Sequence, residues 1–315
     1  MALDGAQTDV FKMHQDAVET EQAREVGVDT TTPSQPDGDS FRRFIRGTWV
    51  GRILLLPWRF WQMLRVTAVP IWQGTLWTFL SREHYNYTYD LEQRNLKHMV
   101  AFLSAVSGCS TSEIQKYVDE IVQDEELRAH ILRLTERSRE RHTADMEVRY
   151  GRRIGWYALV RAKKPKIVVE TGVDKGLGSV VIAAALRKNA SDNHPGQLVA
   201  IDINPAAGYL IEGAYVGVVK LVIKDSLAAL SELASGVDFF IHDSNHDAEF
   251  EAAEYARVEP KLSSQAIVLS DNAEHTDELI KFAGKTGRNF LFFAEKPQNH
   301  WWPGEGIGVA YFRAN

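Results

Sequence analysis

The chain has a single cysteine, Cys109, in 315 residues. One thiol excludes an intramolecular disulfide and a cysteine-built metal cluster, and argues against a secreted, disulfide-stapled design. Positive charge is not in excess either. There are 36 Lys and Arg against 42 Asp and Glu, a formal net charge of -6, so no nucleic-acid partner is expected. No run reaches the roughly 18 uncharged apolar residues that a spanning helix needs. The nearest, Val66 to Ser81, is interrupted by Pro70, Gln73 and Gly74. The first residues lack both a basic start and an apolar stretch, so they do not read as a secretory leader. The expectation is a cytoplasmic protein. What remains is ordinary globular usage, 44% hydrophobic and 25% charged, which sets aside collagen-like and wholly disordered classes.

Charge is spread unevenly over the first quarter. Residues 1–40 carry nine acidic and two basic groups and end in TTTPSQPDGDS. Too little apolar surface is available there to offset ordering, so a disordered acidic tail is expected. Residues 41–82 reverse the sign, with seven arginines, no acid and five of the eight tryptophans. Pro57 and Pro70 are expected to break this stretch into short pieces. Three readings stay open for the basic aromatic segment, taken as 41–92. It suits an anionic membrane surface, with arginines at headgroups and tryptophans at the boundary, which would make the protein peripheral at the inner face of a membrane. It suits a homo-oligomer interface, where Trp and Arg are favoured. It also suits an N-terminal cap whose tryptophans are simply core.

Residues 93–150 read as a helical layer. Leu96, Met99, Val100, Leu103 and Val106 form a stripe at helical period, and Ser110 with Glu113 makes a capping box that opens a helix running on through EIQKYVDEIVQDEELRAHILRL. A further helix, Arg152 to Ala162, stops before Pro165. From there to residue 315 short apolar runs alternate with helical stretches. Strands are expected at Ile167–Thr171, Leu198–Asp202, Val219–Asp225, Val237–Asp243 and Ala266–Asp271, with two more in FLFFAEKP and GIGVAYF. Such alternation predicts an α/β fold with helices on both faces of a parallel sheet.

The first of these strands runs into Glu170-Thr171-Gly172-Val173-Asp174-Lys175-Gly176-Leu177-Gly178 and then a helix. Glycines there let a ligand approach backbone N–H groups at a helix N-terminus. The spacing is G-x-x-x-G-x-G, not the G-x-G-x-x-G of dinucleotide sites. Asp202 closes the second strand, where a carboxylate can accept both hydroxyls of a ribose. Asp225 and Ser226 end the third strand, either at an adenine edge or as a helix N-cap.

The set VVETGVDKGLGS, AIDINP, KDSL, FFIHDSNH and VLSDN resembles class I S-adenosylmethionine-dependent methyltransferases. Within them it is similar to the small O-methyltransferases of catechol and macrolide-sugar type, which use a divalent metal. The likeness spans about Arg152 to Phe312. It implies a Rossmann-like seven-stranded sheet with the last strand antiparallel, here behind an N-terminal helical extension. It also implies that Glu170, Gly172 and Gly176 hold the amino-acid end of S-adenosylmethionine, Asp202 the ribose, and Asp225 and Ser226 the adenine side.

If the fourth and fifth strands are neighbours, Asp243, Asp271 and Asn272 converge in one crevice. Oxygen-only ligation suits a hard cation such as Mg²⁺. The resemblance makes His246 the candidate general base for the acceptor hydroxyl. His242, one residue before Asp243 on a strand, is expected to face away from it. Two aromatic clusters, with Tyr85 and Tyr87 in HYNYTYD and with Trp301 and Trp302 before Pro303, are candidate acceptor-binding groups, as is His275. Their alternative is ordinary packing. The expected acceptor is a glycan, a lipid-linked saccharide or another hydroxyl-bearing small molecule.

Overall fold

The computed structural model describes residues 47–83, 87–144 and 147–313. The expected acidic tail at 1–40, the first arginines of the basic segment and Tyr85 lie outside the described residues. The described chain divides into two units, 47–65 and Val66–Asn315.

In the first unit, helix α1 (Trp49–Leu54) is capped by Thr48, whose hydroxyl accepts from Gly51 N. Helix α2 (Leu56–Leu80) begins there and ends in the second unit. The expected break at Pro70 does not occur. That proline lies inside α2, which carries a cost of about 3 kcal/mol for one lost hydrogen bond and a ring clash. The chain turns instead at Leu55, just ahead of Pro57, where a proline in the first helical turn removes no intrahelical bond.

The second unit continues with α3 (Gln93–Ser107), α4 (Thr111–Val122), α5 (Glu125–Arg137) and α6 (Arg153–Lys163). The α3 stripe is buried at Met99, Val100, Leu103 and Val106. Ser110 caps α4 by accepting from Glu113 N. The single long helix expected after it is two, because Asp124 accepts from Leu127 N and starts α5 afresh. Helix α6 ends at Lys164 in the left-handed region, one residue before Pro165.

Seven strands follow: β1 (Ile167–Thr171), β2 (Gln197–Asp202), β3 (Val219–Ile223), β4 (Val237–His242), β5 (Leu262–Asp271), β6 (Asn289–Ala294) and β7 (Gly306–Tyr311). Between them lie α7 (Leu177–Ser191), α8 (Ser226–Glu232), α9 (Ala248–Val258) and α10 (Glu278–Thr286). The order is β3-β2-β1-β4-β5-β7-β6, with β7 antiparallel to both neighbours and the β3–β2–β1–β4–β5 pairings parallel. This is the sheet that the sequence predicts.

Both faces of the sheet are covered, so side chains of alternating direction enter two cores. Val168, Phe239, Ile241, Ile267 and Leu269 join a core with α3 to α7. Val169, Phe240 and Val268 join one with α8 to α10. Register sets the functional end. Thr171 pairs with His242 and His242 with Ser270, so Gly172, Asp243 and Asp271 stand level at the carboxyl edge. Strand order reverses between β1 and β4, the place where open sheets of this kind form a crevice.

Candidate active site

At the cofactor end, Gly172 has φ +85°, and a Cβ on it would lie 1.9 Å from the Asp243 carbonyl oxygen. Only glycine lets the loop after β1 pass so close to the end of β4. Gly176 (φ +90°) precedes α7, whose first turn has no side-chain cap, leaving N–H groups for an anionic ligand. Asp202 secures this loop: Oδ2 accepts from Val173 N (2.8 Å) and Asp174 N (2.9 Å), and Oδ1 from Asn204 N (2.7 Å). That fills Oδ2 and leaves Oδ1 one further lone-pair direction.

Glu170 is fully buried and accepts from Ser179 Oγ. Burial, opposed by that bond, pushes its carboxyl up to about 8. Asp225 caps α8 by accepting from Ala228 N (2.9 Å), the second of its two sequence readings, and Ser226 is buried beside it.

At the reaction end, side-chain alternation sorts the strand-terminal groups. His242 faces α9, where its Nδ1 lies 2.7 Å from Glu254 Oε2, which also accepts from Thr171 Oγ1. Asp243 faces the other way, towards α6, with Arg153 3.7 Å from its carboxylate. Asp271 is on that same side and fully buried.

Its partner is Arg152, at the N-cap of α6. The guanidinium binds both Asp271 oxygens through Nε and one terminal nitrogen, and that nitrogen also donates to Asn272 Oδ1 at 2.7 Å. The other terminal nitrogen donates to Glu295 Oε2 at 3.0 Å and lies 3.4 Å from Glu305 and from the Tyr89 hydroxyl. Burial alone would raise Asp271, but Arg152 outweighs it and the carboxyl falls to about 2. Asp243 moves oppositely: burial and then the Asp271 charge raise it well above the carboxylate range. Asn272 Nδ2 lies 3.2 Å from His246 Nε2. Burial and the neighbouring His242 push His246 down to about 4.

These groups border a cavity of about 510 Å³. Of the residues singled out from sequence, Gly172, Asp243, His246, Asn272, Tyr87 and Trp302 line it, together with Tyr89, Arg152, Arg153 and Glu305. Glu170, Asp202, Asp271 and Ser226 are not among the residues that line it. Trp301 packs on Trp77 and against Gly74. His275 is exposed, its ring 5.8 Å from His246. Its donor atom lies within 4.8 Å of those of Glu274 and Glu305.

Residues 169–273 match a family model described as a methyltransferase domain. That third of the chain is similar to a methyltransferase domain. A comparison with curated proteins found no match. Solved structures with similar folds include the O-methyltransferase TomG from Streptomyces achromogenes, involved in tomaymycin synthesis and solved with SAM. It is 16% identical, covers 59% of this chain and 90% of that one, and has a TM-score of 0.46. Cofactor-bound Rv0187 from MTB is 18% identical over 62% and 93%, TM-score 0.48. A methyltransferase from Geobacter sulfurreducens is 20% identical over 59% and 90%, TM-score 0.43. At such identities and scores nothing about substrate passes from those proteins to this chain.

The residues at this end of the sheet fit S-adenosylmethionine as a ligand. Its cavity falls in the 300–1,000 Å³ range of small-molecule sites, an uncapped helix start opens beside a glycine loop, and a carboxylate stands at the end of β2. The three oxygen-bearing residues predicted to hold Mg²⁺ do not fit that ion as they are arranged. Asp271 and Asn272 are taken up by Arg152, and Asp243 faces Arg153. A divalent ion would have to displace a buried guanidinium, and breaking such a pair costs about 3–5 kcal/mol.

Sequence reasoning missed Arg152, Arg153, Glu295 and Glu305. One signal was present: Arg152-Arg153 puts two cations at a helix N-terminus, where the dipole disfavours them by about 0.3–1 kcal/mol each. Such a pair calls for acids elsewhere in the chain.

Proposed function

We propose that this chain is an S-adenosylmethionine-dependent O-methyltransferase acting on a hydroxyl of a sugar, glycan or lipid-linked saccharide. The observation that carries the reading is the glycine loop at the carboxyl edge of β1, laced to Asp202 and opening onto the same cavity as Asp243 and His246. When bound, S-adenosylmethionine supplies an electrophilic methyl group. The uncapped start of α7 holds its carboxylate, and the remaining lone pair of Asp202 Oδ1 accepts from its ribose. Asp243 and His246 border the space in which the acceptor oxygen would sit. Tyr87 and Trp302, whose rings are 5.2 Å apart, offer stacking faces for a sugar. Much of the acceleration comes from aligning acceptor and methyl donor in one cavity.

The first unit supports a location for the acceptor. Trp49, Ile53, Leu54, Leu56, Trp58, Phe60, Trp61 and Met63 are each about half exposed or more. Arg52, Arg59 and Arg65 are exposed among them, and no acid lies in the segment. No helix of the described residues is long and apolar enough to cross a membrane. A cationic, tryptophan-rich surface of this kind matches anionic lipid headgroups, so we place the chain at an anionic membrane surface. Self-association through the same tryptophans is the competing outcome.

Calorimetric titration with S-adenosylhomocysteine tests the core of the reading. Wild type is expected to bind with micromolar affinity, and Asp202→Ala at least about tenfold more weakly, the equivalent of about 1.4 kcal/mol. No heat and no thermal stabilisation of the wild type would remove the enzyme reading.

A further inference from the structure

Arg152 is the most heavily bonded cation of the cavity wall, and methyl transfer by itself does not call for it. We propose that Arg152 is the resident cation of this active site, standing where a divalent metal would stand and, through Asn272, fixing which nitrogen of His246 carries the proton. The proposal deepens the methyl-transfer reading and rests on it.

A guanidinium has five N–H donors in a planar fork. Here they meet both Asp271 oxygens, Asn272 Oδ1, Glu295, and the region of Glu305 and the Tyr89 hydroxyl. The oxygens expected on a metal are therefore already engaged by a permanent charge. The side chain of Arg152 is only 11% exposed and that of Asp271 not at all, so water does not loosen the pairing.

The second half follows from donor and acceptor logic. Asn272 presents Oδ1 to the guanidinium at 2.7 Å. Flipping the amide would set NH₂ against N–H, donor against donor. Nδ2 must then be the atom facing His246 Nε2 at 3.2 Å. An amide nitrogen only donates, so Nε2 carries the lone pair and Nδ1 carries the proton. Protonating Nε2 would again oppose two donors. Arg152 and Asn272 are positioning residues: through the amide of Asn272 the guanidinium sets which ring nitrogen of His246, on the cavity wall, carries the proton.

Two measurements on the intact chain test this, and neither reads turnover. First, Mn²⁺ is titrated and the free ion followed by electron paramagnetic resonance. Wild type is expected to leave the signal unchanged. Stoichiometric binding that Asn272→Ala abolishes overturns the proposal. Binding that survives Asn272→Ala but is lost in Glu274→Gln lies at the exposed Glu274–His275–Glu305 trio, and upholds an arginine-held site. Second, ¹⁵N spectra of the histidine rings, with the signal identified by its loss in His246→Gln, are expected to show Nδ1 protonated and Nε2 bare. The reverse overturns the relay. Asn272→Asp turns the amide donor into an acceptor and should move the proton to Nε2, raising the ring's titration midpoint by about one pH unit or more; an unchanged tautomer also counts against the relay. Arg152→Gln should release Asn272 and mix the tautomers. If that variant does not fold, the wild-type and Asn272 results decide. A wild type that binds no S-adenosylhomocysteine would sink the cofactor reading while leaving both observables intact.

Discussion

Gly172 is where one atom decides the site. The 1.9 Å approach to the Asp243 carbonyl leaves no room for a methyl group, and the positive φ adds a cost of about 1–2 kcal/mol for any L-residue. Gly172→Ala is expected to lower the melting temperature by several degrees and to abolish S-adenosylhomocysteine binding, read by thermal shift with and without ligand. Gly217, with nothing within 4 Å of its Cβ position, serves as the control and should tolerate alanine. The acids at strand ends were legible because a carboxylate closing a strand before a glycine turn is a local pattern. The charge state of the site was not. Arg152 meets Asp271 across 119 residues and Glu295 across 143, and no window on the sequence spans that distance. Without those contacts, Asp243, Asp271 and Asn272 read as ligands awaiting a cation that the chain itself supplies.

At the scale of elements, alternation and capping predicted most of what is seen. The first five strands fall within a few residues of expectation, and His242 and Asp243 face opposite sides of the sheet as period two requires. The misses have local causes. Asp124 restarts a helix that the apolar pattern alone carries straight through, and α2 passes through Pro70 because a helix of 25 residues retains its remaining hydrogen bonds. The first unit makes the clearest prediction here. The full chain should float with vesicles rich in anionic lipid and stay in the soluble fraction with neutral ones. Replacing Trp58 and Trp61 with alanine should reduce the floated share severalfold. Sedimentation as an oligomer together with no flotation would assign these tryptophans to self-association.

For the whole molecule, two buried groups bracket stability against pH. Glu170 binds its proton more tightly folded, at about 8, than at its ordinary 4.5. Stability therefore falls as pH rises from 4.5 to 8, by an amount on the order of 5 kcal/mol. His246 is held down at about 4 against an ordinary 6.5. The unfolded chain takes up that proton first, so stability also falls as pH drops from 6.5 to 4, by roughly 3 kcal/mol. Denaturant unfolding across this range should show Glu170→Gln gaining on wild type towards pH 8 and His246→Gln gaining towards pH 4. Parallel curves for wild type and Glu170→Gln would mean that Glu170 carries no such penalty.

The distances around Arg152 also bear on the order in which the molecule is made. The arginine leaves the ribosome long before any of its counter-charges, and Glu295 and Glu305 arrive only with the last hairpin, β6–β7. Synthesis proceeds at roughly 5–20 residues per second and domains organise from the N-terminal side. For several seconds the nascent sheet can assemble β1 to β4 around a guanidinium that has no carboxylate to meet. Asp271 answers that charge with β5 and the closing hairpin then adds Glu295 and Glu305, so a ribosome stalled before residue 271 would hold a chain whose central charge is unanswered.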